Sequence, residues 1–138
     1  EHDPIWFMRP MLSASFCLQL PGDTTTRRPT FDAVLAGCIP VFFEELSAKA
    51  QYGWLVFIPK EEVLFRGMRI LDVLQRIPRG RVRRMRERVL ELIPGVLYRM
   101  HISSLRLKTK KDAVDLAIDG TLDNIRSRLR DLHLDFVM

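Results

Sequence analysis

The stretch that decides the fold is residues 15–43, which read SFCLQLPGDTTTRRPTFDAVLAGCIPVFF. An apolar run at 16–20 meets a Pro-Gly-Asp turn, a cluster of Thr and Arg opens a helical segment, and a second apolar run follows at 39–43. Strands of a parallel sheet are buried on both faces and show such non-alternating apolar runs. The order therefore predicts a strand, a loop, a helix and a second, parallel strand.

Polar and cationic residues are concentrated where the first predicted strand ends. In open α/β sheets, ligands bind beyond the carboxyl ends of the strands. A helix N-terminus at that edge offers free N–H groups and a partial positive charge, which suit a phosphate. We therefore predict an anionic, nucleotide-containing ligand at the loop 22–28.

The residue types in this loop suit such a ligand. Gly22 can adopt backbone angles closed to other residues and lets the chain approach a ligand, and the threonines at 24–26 are candidate N-caps. Arg27 and Arg28 can present planar, bidentate donors to a diphosphate. Asp32, one turn into the helix, can hold ribose hydroxyls, as carboxylates do in other dinucleotide folds. The pattern leaves a plainer interpretation open, in which the arginines form a solvated face and Asp32 complements the helix dipole.

Helical spacing sets the predicted buried side of this segment. Pro29 suits the first helical turn. One buried stripe is predicted from the i, i+3, i+4, i+7 spacing of Phe31, Val34, Leu35 and Cys38. Cys17 and Cys38 lie in apolar runs, and we interpret them as small buried hydrophobic residues rather than as a disulfide or reactive thiols.

A longer set of residues matches a known family pattern. The set is Phe16-Cys17-Leu18-Gln19, Gly22-Asp23, Arg27-Arg28, Phe31-Asp32, Gly37-Cys38-Ile39-Pro40-Val41-Phe42-Phe43, Ser47-Ala48, Gln51-Tyr52, Trp54, Val56-Phe57-Ile58-Pro59, Arg83-Arg84-Met85-Arg86-Glu87 and Ile93-Pro94. This pattern resembles the donor-binding half of the exostosin-type glycosyltransferases, family 47, and above all the plant branch with the xyloglucan galactosyltransferases. Leu20 and Pro29 depart from its proline and serine. Trp54 also runs almost directly into Val56, where relatives carry a further loop of roughly a dozen residues, longer than most connections.

The resemblance implies an α/β fold, the Rossmann-like C-terminal donor domain of a two-domain GT-B enzyme, with a short parallel sheet flanked by helices. It implies inverting transfer of a sugar, galactose by the nearest branch, from a UDP-sugar to a cell-wall polysaccharide such as xyloglucan. The implied donor-binding residues are Gly22, Asp23, Thr25, Thr26, Arg27, Arg28 and Asp32. No metal or other cofactor is expected, because a cationic loop and a helix N-terminus can stabilise a leaving diphosphate.

The resemblance also implies what would lie outside these residues. Family members have an N-terminal acceptor domain and an N-terminal helix that anchors them in the Golgi membrane, facing the lumen. The general base that deprotonates the acceptor would belong to that domain, so we name no catalytic residue and expect residues 1–138 alone to be inactive. The alternative is a truncated, non-catalytic module that binds nucleotide or a protein partner.

Composition and charge agree with one domain over residues 1–138. The chain is 47% hydrophobic, enough to bury a core, and no apolar run reaches membrane-spanning length. Residues 1–58 carry a net charge of −2 and residues 59–138 a net charge of +7. The basic excess lies largely on a predicted amphipathic helix at 80–93, whose arginines have no interleaved aromatic residues. We therefore disfavour nucleic-acid binding.

The remaining elements are predicted more coarsely. A helix is expected within 4–14, a loop at 44–53 carrying Ser47, Gln51 and Tyr52, a strand at 55–58, and helices at 68–76 and 111–132. Pro94-Gly95 is expected to end the basic helix. His2, His101 and His133 are scattered and no Asp-x-Asp occurs, so no metal site is predicted.

Overall fold

The computed structural model describes residues 4–49, 55–100 and 109–134. Gln51, Tyr52 and Trp54, which the family pattern includes, lie outside the described residues. The chain, predicted above as one domain, divides into two compact units, Glu1–Ile93 and Pro94–Met138. The first unit contains the sheet and the loop that follows its first strand.

The sheet is parallel and three-stranded, in the order β1 (Phe16–Gln19), β2 (Ile39–Phe42), β3 (Val56–Phe57). Cys17 lies opposite Pro40, and Val41 lies opposite Val56. Every residue of the central strand β2 is buried, in keeping with its non-alternating sequence. The predicted parallel strands are confirmed, although each is shorter than its apolar run.

Helices α1 (Pro4–Ser13) and α2 (Arg28–Leu35) precede and follow β1. Pro29 occupies the first turn of α2 as predicted. The threonine caps are wrong, because the N-cap is Arg27, which makes no side-chain cap hydrogen bond. The hydroxyl of Thr24 donates instead to the Thr26 carbonyl at 2.8 Å, since a Thr in a turn can satisfy nearby backbone groups locally.

The buried side of α2 consists of Thr30, Ala33 and Val34. Phe31 was predicted to be buried with Val34, but it remains 41% exposed. The stripe is therefore rotated by one residue from the prediction, because the helix packs against β1 and β2 through small side chains. The spacing of the large apolar residues alone does not show whether a small residue such as Thr or Ala lies on the buried or the exposed side of a helix.

A Schellman motif ends α2 and turns the chain into β2. The N–H of Gly37 donates to the Val34 carbonyl and that of Cys38 to the Ala33 carbonyl, both at 2.9 Å. Gly37 adopts φ of 66°, in the left-handed region that favours glycine. The motif places Cys38 directly before the first residue of β2.

Cys17 and Cys38 form a disulfide, with their Cα atoms 5.8 Å apart. The interpretation of these residues as free buried thiols is therefore wrong, although both are buried as expected. The physical reason is the parallel pairing of β1 with β2, which brings two residues 21 positions apart to bonding distance. Ala33 and Ala36 complete this small core, against which Met8, Met11 and Ala14 pack.

Three helices of five or six residues and one of 18 residues follow among the described residues of the first unit and the start of the second. They are α3 (Glu45–Lys49), α4 (Lys60–Phe65), α5 (Ile70–Gln75) and α6 (Arg79–Val96). The loop predicted at 44–53 is thus wrong over α3, and α4 has no counterpart among the predictions. The predicted end of the basic helix is also wrong, because α6 continues through Pro94. A proline removes one helical hydrogen bond but leaves the next residues free to remain helical.

In the second unit, α7 (Ala113–Leu134) begins at a cap formed by two aspartates. Asp112 accepts hydrogen bonds from the N–H groups of Val114 and Asp115, both at 3.0 Å, and Asp115 accepts one from the N–H of Asp112 at 3.1 Å. This reciprocal arrangement is a capping box, which explains why the helix starts two residues later than predicted. Within the described residues, none of the helices combines the length and the apolar composition needed to cross a membrane.

Candidate functional site

A cleft of about 210 Å³ opens where β1 and β2 end. Gln19 and Phe42, the last residues of these strands, lie in its lining. Leu18 of β1 also lines the cleft. The rest of the lining comes from the loop after β1, the start of α2 and the segment after β2, namely Leu20, Pro21, Gly22, Thr24, Thr25, Arg27, Pro29, Thr30, Glu44 and Ser47. The cleft therefore occupies the sheet edge at which ligands of open α/β folds bind.

The structure brings part of the predicted donor-binding set into this lining. Gly22, Thr25 and Arg27 line the cleft. The remaining predicted residues lie in the same loop or in the first turns of α2 and are not among the lining residues; they are Asp23, Thr26, Arg28 and Asp32. Asp23, Thr26 and Arg28 are exposed, and Asp32 is partly buried.

Arg27 folds back across the loop that precedes it. Its Nη1 donates to the carbonyls of Leu20 and Pro21, at 3.3 and 3.4 Å. A Cβ atom at Gly22 would lie 2.5 Å from this Nη1, so a larger residue at this position would displace the guanidinium from its place over the loop. Gly22 does not adopt a positive φ, which corrects the expectation that its backbone freedom is required. The absence of a Cβ atom instead provides the space in which the Arg27 guanidinium lies.

Arg28 and Asp32 face each other along α2. The Arg28 Nε lies 3.6 Å from an Asp32 carboxylate oxygen, and 86% of the Arg28 side chain is exposed against 16% for Asp32. Such an i, i+4 ion pair contributes little to stability. It does hold the carboxylate of Asp32 beside a cation on the first turns of the helix.

Gln19 and Thr30 are cleft residues that the sequence analysis did not select. Both are buried, and the Thr30 hydroxyl donates to Gln19 Oε1 at 3.3 Å. Gln19 Nε2 lies 3.5 Å from the Cys17 carbonyl. Gln19 could have been recognised as a polar residue at the end of an otherwise apolar strand. A polar group buried there needs a hydrogen-bond partner, which draws attention to its surroundings.

Glu44 is a second cleft residue without a predicted role. It follows β2 and accepts a hydrogen bond at 2.8 Å from the ammonium of Lys60, at the start of α4. That hydrogen bond, together with the negative charge of Glu44, raises the pKa of Lys60 above its usual value. Lys60 balances the charge of Glu44. Arg27 is the cation of the lining, and its guanidinium forms no ion pair with a carboxylate of the described residues.

Within residues 4–49, 55–100 and 109–134, the His, Cys, Asp and Glu side chains form no group of three or more that could hold a metal ion.

The sequence that forms this cleft is similar to a known family of proteins. The model of the exostosin GT47 domain matches residues 1–67, which include the sheet, the loop and the cleft lining. A probable xyloglucan galactosyltransferase of Arabidopsis thaliana is 61% identical over 139 residues, covering 94% of this chain and 32% of the relative. A xyloglucan galactosyltransferase of the same plant is 43% identical, covering 94% and 22%. A xyloglucan-specific galacturonosyltransferase is 34% identical, covering 81% and 18%.

The chain spans about a third or less of the length of these curated relatives. The matched region coincides with the three-stranded parallel sheet and its flanking helices, as in a fragment of a GT-B glycosyltransferase. The identity is high across nearly all of the chain rather than confined to one motif. Residues 1–67 therefore carry the exostosin GT47 domain, and across nearly all of its length the chain is similar to proteins named as plant xyloglucan galactosyltransferases.

Proposed function

We propose that this chain is the UDP-sugar-binding part of a glycosyltransferase that adds galactose to xyloglucan. The observation that carries the proposal is the cleft at the carboxyl ends of β1 and β2, in which Gly22, Thr25 and Arg27 meet. A cation, a hydroxyl and a closely approaching backbone are the groups that bind a diphosphate. The cleft volume of about 210 Å³ is below the roughly 300–1,000 Å³ of drug-sized ligand pockets, so these residues enclose the diphosphate rather than the whole donor.

In the proposed reaction, the loop stabilises the leaving UDP. Charge develops on the diphosphate as the bond to the sugar breaks, and Arg27 is positioned to neutralise that charge, with Thr25 donating a hydrogen bond. Arg28 lies one residue further on and can approach the same group from solvent. Asp32, held beside Arg28, is proposed to accept hydrogen bonds from the ribose hydroxyls, and Asp23 to orient the loop.

The acceptor side of the reaction is assigned to the part of the enzyme beyond these residues. An inverting transfer requires a base that deprotonates the acceptor hydroxyl opposite the leaving group. No residue of the cleft described above is assigned that role. The polysaccharide would be held against the donor by the remainder of the protein, which the relatives' greater length accommodates.

The donor sugar is proposed from the names of the relatives. The two relatives at 61% and 43% identity are named for galactose, whereas the relative at 34% is named for galacturonic acid. Proteins named for different sugars therefore share this region. We assign its residues to the UDP moiety common to both donors, and galactose follows from the higher identities.

We further propose that the enzyme works in the Golgi lumen in the synthesis of cell-wall polysaccharide. The Cys17–Cys38 disulfide supports this assignment, because disulfides form and persist in oxidising compartments and are rare in the cytosol. The relatives named for xyloglucan support the substrate class.

Calorimetric titration with UDP tests the proposal. Wild-type protein should bind UDP, and Arg27→Ala should weaken binding by about 1.5–3 kcal/mol, the range for hydrogen bonds to charged groups. Arg28→Ala should act in the same direction. The matched control is Arg84→Ala, which removes an exposed arginine of α6 far along the chain from the loop. Equal losses of UDP affinity for Arg27→Ala and Arg84→Ala would show that the effect comes from the net charge of the protein, and would contradict a UDP site at the loop.

The ribose assignment has its own test. Asp32→Asn should weaken binding of UDP but leave binding of inorganic pyrophosphate unchanged, because pyrophosphate has no ribose. Equal losses for the two ligands would remove Asp32 from the ribose site while leaving the diphosphate site in place.

A further inference from the structure

Gln19 places a buried amide group on the wall of the cleft. It is the last residue of β1, only 8% of it is exposed, and it belongs to the cleft lining. Polar side chains buried to this degree ordinarily have partners for their donors and acceptors. The partners of this amide therefore indicate what it is built to do.

The orientation of the amide is fixed by its two neighbours. The Cys17 carbonyl can only accept a hydrogen bond, so the amide nitrogen lies on its side, at 3.5 Å. The amide oxygen then faces the Thr30 hydroxyl, which donates to it at 3.3 Å. Thr30 is only 4% exposed and lies in the first turn of α2. It thus connects the end of the strand to the start of the helix, on either side of the 20–27 loop.

A donor of Gln19 remains unused. The amide nitrogen carries two N–H groups, and its interaction with the Cys17 carbonyl lies beyond the ordinary hydrogen-bond range of 2.7–3.2 Å. Among the described residues, no other acceptor partners this nitrogen. A buried group with a spare donor, in the same cleft lining as the guanidinium of Arg27, is suited to an oxygen supplied by a ligand.

We infer that Gln19 is a further ligand-contacting residue of the donor site, donating an N–H to a diphosphate oxygen, and that Thr30 positions it. The inference rests on the proposed function. The diphosphate is favoured over the base or ribose because the loop with Gly22 and Arg27 continues directly from Gln19 and lines the same cleft. Arg27 attracts the diphosphate through its charge, and a neutral N–H donor at Gln19 would favour one orientation of the diphosphate oxygens.

Two substitutions of Gln19 test the contact with UDP, pyrophosphate and uridine as probes. Gln19→Glu keeps the acceptor for Thr30 but replaces the donor with a group that repels a diphosphate. Gln19→Leu removes both hydrogen-bonding functions at similar size. Each should weaken binding of UDP and of pyrophosphate by roughly tenfold or more, from the strength of a hydrogen bond to a charged group. Uridine binding should not change.

Thr30 is tested as a positioning residue by a double-mutant cycle. Thr30→Val should weaken binding of UDP and pyrophosphate in the wild-type background and have no further effect in Gln19→Leu, because it acts through Gln19. Thr30→Ser retains the hydroxyl and should restore the affinity. Thermal unfolding of each variant identifies any that fail to fold. If Gln19→Leu does not fold, Gln19→Glu still tests the contact with the diphosphate, and Thr30→Ser still tests the role of the hydroxyl.

The outcomes separate this inference from the function on which it rests. Folded Gln19 variants that bind UDP like wild type, while Arg27→Ala binds weakly, would overturn the role of Gln19 and leave the donor site standing. A loss of uridine binding equal to that of UDP would overturn the diphosphate contact. A wild-type protein that binds neither UDP nor pyrophosphate would contradict the proposed function itself.

Discussion

Lys60 Nζ donates a hydrogen bond to Glu44 Oε1 at 2.8 Å. This contact joins the first residue of α4 to the segment that follows β2. Glu44 lines the cleft at the carboxyl ends of β1 and β2, whereas Lys60 does not. The position of Glu44 would set a negative charge near a bound diphosphate if Lys60 did not balance it. We therefore expect the ammonium of Lys60 to offset the negative charge that Glu44 brings to the cleft.

Lys60→Met should weaken UDP binding. The unbalanced carboxylate of Glu44 would repel the diphosphate, by roughly twofold to fivefold in affinity at low ionic strength and less at high salt. Glu44→Gln combined with Lys60→Met should restore the affinity, because it removes the repelling charge. Arg66→Met breaks a comparable 2.8 Å pair with Glu62 away from the cleft lining and serves as the control. A salt-independent loss in Lys60→Met would argue against the electrostatic account.

The same pair has a defined pH dependence. The pKa of Lys60 is raised above 10.5, first by its hydrogen bond with Glu44 and then by the charge of Glu44. Its contribution to stability is therefore fully present below pH 10.5 and is lost as the pH rises through the higher folded pKa.

Gly22→Ala should reduce UDP affinity with little change in melting temperature. The new Cβ would lie 2.5 Å from Arg27 Nη1, and a flexible guanidinium can move aside at small cost to the fold. It would then lose its hydrogen bonds to the Leu20 and Pro21 carbonyls, which place it in the cleft.

Gly80→Ala is the matched control for this substitution. Its Cβ would meet Arg84 Nη1 at an ordinary 3.8 Å, so the variant should bind UDP normally and gain up to about 1 kcal/mol in stability. Calorimetry and thermal unfolding report the two effects separately. A Gly22→Ala protein with unchanged affinity would show that the position of Arg27 is not needed for binding.

Reduction of the Cys17–Cys38 disulfide should destabilise the first unit. The bond joins residues 21 apart in sequence, and closing a loop of that length restricts the unfolded chain, for a contribution of about 2–4 kcal/mol. Urea unfolding with and without reductant measures the difference, and Cys17→Ser with Cys38→Ser should reproduce the reduced protein. Two titratable thiols in the unfolded, unreduced chain would show that the bond is absent.

Acid should loosen the second unit through Asp112. Hydrogen bonds from the Asp115 and Arg99 backbone N–H groups, opposed in part by burial, lower the pKa of Asp112 from 3.8 to about 2, with Arg99 adding a side-chain contact. Because the folded pKa is depressed, the stabilisation is present above pH 3.8 and is lost as the pH falls towards 2.

Asp112→Asn should therefore remove the pH dependence of unit-two helicity in this window and lower helicity at neutral pH. Asp123→Asn is the control, because the side chain of Asp123 is 75% exposed and forms a surface ion pair with Arg126. Circular dichroism against pH distinguishes the two. An Asp112→Asn protein with the wild-type pH profile would assign the transition to another group.

The sequence determined the parallel sheet of the first unit and the helix between its first two strands, because the signals for these elements are local or periodic. Non-alternating apolar runs identified the parallel strands, and Pro29 marked the first turn of α2. The position of the cleft followed as well, since the carboxyl ends of parallel strands meet at one edge of the sheet. The family pattern then supplied the chemistry expected at that edge.

Only the tertiary structure decided which side chains share the cleft. Thr30 meets Gln19 across 11 residues and Lys60 meets Glu44 across 16, and no local pattern specifies such pairs. The disulfide likewise depends on strand register, which sets Cys17 beside the residue that precedes β2. Arg27 could be recognised as a candidate from its type, but its direction is set by two backbone carbonyls and by the space over Gly22. Contacts of this kind depend on how the elements pack, and packing is a property of the folded chain rather than of any segment of it.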